Sequence, residues 1–85
     1  MTPEEIEALL LRREEAVREL EDAKSEIIRV AQNVASTVYM PIEFRRTHVE
    51  NLRDEARRLE LAIDKFAAVI RATDPVFDEV HQKIG

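Results

Sequence analysis

The chain has 85 residues, 45% of them hydrophobic and 36% charged, with a formal net charge of −5, one glycine, three prolines and no cysteine. That length bounds it to one small domain, the absent cysteines exclude disulfides and thiolate metal sites within it, and the acidic balance argues against generic nucleic-acid binding. Few helix breakers and many Ala, Leu, Glu and Arg residues describe long helices with little loop.

Thr2-Pro3-Glu4-Glu5 is a helix start. Thr2 caps, Pro3 takes the first helical position, and Glu5 completes a capping box where its charge suits the helix N-terminus. No breaker follows before Pro41, so helix 1 is predicted over about 3–39, roughly 55 Å at 1.5 Å per residue. A helix that long needs a partner along its length. Its apolar positions, Ile6, Leu10, Val17, Leu20, Ile27, Ala31, Val34 and Val38, recur at helical spacing. No apolar run is long enough to span a bilayer, and the acidic first residues are unlike a secretory leader. A cytoplasmic or particle-associated protein is therefore expected, neither transmembrane nor secreted by a classical signal.

Met40-Pro41 breaks the pattern, because proline cannot continue the ladder and disfavours helical geometry in the residue before it. The turn is predicted over about 40–46 and helix 2 over about 47–72, opened by a second capping box at Thr47-His48-Val49-Glu50. Val49, Leu52, Ala56, Leu59, Ile63, Phe66 and Ile70 mirror the first seam. Pairing Val34 with Val49, Ile27 with Ala56 and Val17 with Phe66 gives an antiparallel register. Asp74-Pro75 reads as a stop and a new start, opening a short third helix over about 75–84. There Val76, Phe77, Val80 and Ile84 form a stripe that folds back toward Ile6. The predicted fold class is all-α: a long antiparallel two-helix hairpin, coiled-coil-like, with a short C-terminal third helix and completed by self-association.

Self-association is expected because the apolar surface is wider than one seam. A helix apolar on several sides is buried on several sides, and Leu11, Ile28, Val30 and Ala35 fall outside the reach of the partner helix. They are the expected oligomer interface, in a four-helix bundle or larger homo-oligomer.

Motifs for chemistry are nearly absent. His48 and His81 belong to no paired-ligand spacing, and the lone glycine, Gly85, builds no phosphate loop. No metal and no cofactor are expected. Arg13 and Lys24 occupy positions where the seam asks for apolar residues, and an unpaired cation in a dry seam is expensive. Either their stems pack while their heads reach neighbours such as Glu60 or Asp74, or the two form an anion pocket.

Leu10-Leu11-Arg12-Arg13-Glu14-Glu15-Ala16-Val17 through Lys24 resembles the first helix of the small all-helical chorismate mutases, which carry an arginine and a lysine at this separation. The likeness covers about a quarter of the chain. The Asp and Arg-Glu pair of that family near the start of helix 2 has no counterpart here, where Val38-Tyr39-Met40-Pro41-Ile42-Glu43-Phe44 stands instead. The resemblance implies an alternative, a mutase-like enzyme in which Arg13 and Lys24 bind a dicarboxylate.

The turn is the stronger functional clue. Hairpin apices usually use Gly, Asn, Asp and Ser, whereas this one presents Tyr39, Met40, Ile42 and Phe44, followed by Arg45 and Arg46. Adjacent exposed apolar groups mark a contact site, and these six residues are the expected partner-binding set. The competing expectation is that Ile42 and Phe44 fold back to cap the seam. Arginines around the tip are interleaved with Glu50, Asp54 and Glu55, which disfavours nucleic acid as the ligand. The sequence thus favours a non-enzymatic structural or adaptor protein that oligomerises through its helical faces and meets a protein partner at its tip. A component of a phage or viral particle or of another multi-subunit assembly fits that description. The remaining alternative is a small acidic regulator or inhibitor of another protein.

Overall fold

The computed structural model describes residues 1–84, with side chains through residue 82. Helix α1 spans Pro3–Ser36, a 3-10 turn spans Thr37–Tyr39, and helix α2 spans Ile42–Ile84, with no strand among the described residues. The helices pack side by side and antiparallel, so that Arg13 meets Asp74 near one end while Val34 and Val49 share a groove near the other. The hairpin extends 59 × 20 × 14 Å. Its radius of gyration is 18.7 Å, against about 12 Å for a globular chain of this length.

α1 starts as its sequence dictates. Thr2 is extended (φ −74°, ψ 158°), its Oγ1 accepts from the Glu5 amide at 3.2 Å, and Pro3 occupies the first turn, where its missing N–H costs nothing. α2 starts five residues before the predicted boundary. The Pro41 carbonyl accepts from the Phe44 and Arg45 amides at 3.1 and 3.2 Å, so the first turn nucleates on Pro41 and Thr47 lies inside the helix. Both Pro41 and the Thr47 box were available as starts, and the fixed φ of proline favours the earlier one.

The separate third helix does not form. Pro75 lies inside α2, which continues through it to Ile84. The predicted stripe keeps Val76, Phe77 and Val80 half-buried, while Ile84 lies outside the described side chains. An interior proline costs a helix roughly 3 kcal/mol, and here contacts on both sides of it hold the helix together. The Nη1 of Arg13 is shared between the Ile70 carbonyl at 3.1 Å, Thr73 Oγ1 at 3.2 Å and the Asp74 carboxylate. Its guanidinium also lies 4.0 Å from the centre of the Phe77 ring. One side chain of α1 therefore grips α2 before and after the proline. Replacing Pro75 with alanine restores a ladder bond without touching those contacts and is expected to raise unfolding free energy by roughly 1–3 kcal/mol in a urea titration. A loss of stability would show that the clamp requires Pro75 itself.

Among the described residues six are the most deeply buried, and they fall on two lines. Ala16, Ala23, Val30 and Thr37 recur at intervals of seven along α1 and the turn, and Leu52 and Thr73 are three such intervals apart on α2. A strict seven-residue repeat is the mark of coiled-coil packing. This line differs from the predicted seam. Val17 and Val34 are 42% and 40% exposed and Val38 is 61% exposed, so they flank the contact. Small Ala16 and Ala23 occupy its centre and let the two backbones approach.

Candidate functional site

The apex is built without any residue at positive φ among those described, and so without glycine. α1 ends as Thr37 turns its Oγ1 back to the Val34 carbonyl at 2.7 Å. Ser36 Oγ likewise donates to the Gln32 and Asn33 carbonyls at 3.2 and 3.0 Å. After the 3-10 turn, Met40 is extended (φ −84°, ψ 150°), the geometry that a following proline imposes. Arg45 closes the turn: its Nη2 donates to the carbonyls of Val38 and Met40, both at 3.1 Å. The guanidinium thus ties down two carbonyls of the turn, where the Asn or Ser of an ordinary turn would instead accept from a backbone N–H.

Of the six residues expected to bind a partner, the structure gives four an open position. Tyr39 is 89% exposed, Ile42 78% and Phe44 60%. The Arg46 side chain is 91% exposed, with its Nε 3.5 Å from Glu50. Ile42 and Phe44 thus do not cap the seam. Met40 is half-buried, and Arg45 is half-buried against the turn it holds, so its place is structural. Val38, which the sequence put in the seam, joins the exposed set at 61%. The seven-residue repeat through Thr37 was the signal that separates them, because Val38 falls one position off the buried line.

The four residues expected at an oligomer interface divide as well. Leu11 and Ile28 are 56% and 59% exposed, and Ala35 is also open to solvent. Val30 is 3% exposed, part of the core of the single hairpin, and is unavailable to a second molecule. A groove of about 480 Å³ runs along one face of the apical half, lined by Ile27, Val30, Ala31 and Val34 of α1 and by Val49, Leu52, Arg53, Ala56 and Glu60 of α2. Val49 and Arg53 also line the depression beside Ile42, Arg45, Arg46 and Glu50, so the groove reaches the apex. Toward the other end Leu10, Arg13, Glu14, Val17, Phe77 and His81 line a further depression. Arg12, Glu15, Glu19 and Lys65, beside Ala16 and Phe66, border the depression that lies across the hairpin from Leu10 and Val17.

Arg13 and Lys24 are not brought together. Arg13 reaches across to α2 with its side chain 17% exposed, and Asp74 keeps 46%. Phe77 continues the stack to His81, whose ring lies 4.0 Å away at 35° and whose Nδ1 is 3.0 Å from the Phe77 carbonyl. Lys24 stays on its own helix, 54% exposed with Nζ 3.8 Å from Glu21, roughly 16 Å farther along the axis. The stretch that resembles the chorismate mutases thus supplies a helix clamp, with its arginine directed to a carboxylate of the same chain. No helix of the described residues is long and apolar enough to cross a membrane. No protein-family model, no curated protein and no solved structure matches the chain.

Proposed function

We propose that the chain is a non-enzymatic structural or adaptor protein that engages another protein through the apolar apex of its hairpin and pairs with further copies along its sides. One observation carries the reading of the apex. Val38, Tyr39, Ile42 and Phe44 are 60% exposed or more, while the turn itself is held by Arg45, Thr37 and backbone bonds. Those four side chains thus do little for the fold. Large apolar groups edged by an arginine, here Arg46, are the composition of energetically important interface centres.

A photo-crosslinking residue at Tyr39, compared with one at Glu19 on the face across the hairpin from the groove, tests the reading in extracts of the source organism. The expected result is a discrete adduct from the apex only. Carrying Tyr39→Ser and Phe44→Ser together should leave the melting temperature nearly unchanged and weaken binding of the captured protein by about 2 kcal/mol or more. A double variant that unfolds, or that binds undiminished, would remove the apex from consideration.

A further inference from the structure

We infer that two copies pair antiparallel through the grooved face, the apex of each lying over the open end of the other. This deepens the side-by-side pairing proposed above and rests on it. The first support is area. The chain exposes 6804 Å² at 9.9 kDa, where a folded monomer of that mass exposes about 5,200 Å². Among the described residues no side chain falls below 2% exposure, so the single hairpin lacks a fully enclosed core there. One face of a body 59 Å long and 20 Å wide offers roughly 1,000 Å² per copy, above the ~800 Å² per partner of a stable interface.

The second support is where the surplus apolar surface lies. Val17 and Ala31 follow the seven-residue repeat along one flank of the groove, and Val49 and Ala56 follow it along the other, both rows stopping short of the apical Val38 and Ile42. Ile28 and Ala35 extend the first flank outward. Lys24 falls in the same row, and its ammonium is drawn toward Glu21 at the rim, leaving its stem along the apolar strip. The face across the hairpin carries Arg12, Glu15, Glu19 and Lys65, and its apolar depression at Leu9, Ala68, Val69 and Ala72 is confined to the open end.

Charge selects the second copy and its direction. Residues 27–58, the apical half, hold six arginines against four acids, while residues 1–26 hold nine acids against four bases. At the rim of the grooved face, Glu7, Glu14 and Glu21 share one row of α1, and the matching row of α2 runs Arg46, Arg53, Glu60, Ala67 and Asp74 toward the open end, with Asp74 already held by Arg13. A parallel pair sets the two acid-rich open ends against each other, whereas an antiparallel pair sets the arginine-bearing apical half, Arg46 and Arg53 included, against the acid-rich end of the other copy and closes with two-fold symmetry.

The chain contains no cysteine, so a single Glu43→Cys spin label reports tip-to-tip distance. Sedimentation equilibrium on the unlabelled protein is expected to show a dimer. Pulsed dipolar spectroscopy should then give a separation approaching the 59 Å length of the hairpin. Ile28→Glu should raise the dimer Kd at least tenfold, and Leu11→Glu, off the grooved face, should leave it unchanged. A label separation of about 20–30 Å, two helix diameters or so, would establish a parallel pair and overturn the inference. A dimer sensitive to Leu11→Glu and indifferent to Ile28→Glu would overturn the choice of face. A monomer at all concentrations would end both the inference and side-by-side pairing, while an apex that still captures its partner would leave that part of the reading standing.

Discussion

Val30→Asp is expected to unfold the hairpin, whereas Ile28→Asp two residues away should leave it folded. Val30 is 3% exposed and, with Ala16, Ala23 and Leu52, among the buried apolar residues of the core. Burying an unpaired carboxylate at that depth costs several kcal/mol. A chain of this size has roughly 3–5 kcal/mol of net stability from its core, so the substitution removes most or all of it. Ile28 is 59% exposed, and a charge there stays in water, with an effect within about 0.5 kcal/mol. Circular dichroism melts, run dilute enough to exclude self-association, separate the two. Equal melting temperatures would mean that Val30 is not part of the intramolecular seam.

Arg13→Met is expected to destabilise the chain by roughly 2–3 kcal/mol. The change keeps the apolar stem and removes the donors. It leaves Thr73, 2% exposed, without the Arg13 bond, although its hydroxyl still donates to the Ile70 carbonyl at 2.9 Å. Asp74 loses its cation but keeps nearly half its side chain in water, which holds the cost below that of breaking a fully buried pair. The loss should be local first. Hydrogen exchange beyond Pro75 should accelerate before the rest of α2, because the clamp is what carries the helix through the proline. Lys24→Met, by contrast, should change stability little, since an exposed pair 3.8 Å apart contributes under about 1 kcal/mol. An Arg13→Met protein as stable as the parent would show that the stem alone does the packing.

Much of the fold was legible before any coordinates. Two apolar series at helical spacing, a single strong break at Met40-Pro41 and the cap at Thr2-Pro3 are local signals, and local backbone chemistry decides them. The candidate site was legible in part. Tyr39, Ile42 and Phe44 stood out because they are the wrong residues for an ordinary turn, and they are open to solvent. Arg45 was read as a recognition residue because sequence shows only that an arginine follows the apex. That its guanidinium bends back to two carbonyls, at 3.1 Å each, depends on how the turn folds.

The sequence by itself determined that two long helices form, where the first begins and where the chain reverses, because capping, proline geometry and apolar periodicity act within a few residues. Tertiary structure alone decided which apolar residues make the seam and whether the second helix ends at Asp74-Pro75. The first choice follows from packing. Helices draw close along a line of small residues, so Ala16 and Ala23 are buried while larger Val17 and Val34 are left at the flanks. The second follows from a contact 61 residues away in sequence, Arg13 to Asp74. Helix propensity at Pro75 is unfavourable by roughly 3 kcal/mol, and the charge-assisted bonds and ring contact delivered across the hairpin offset it.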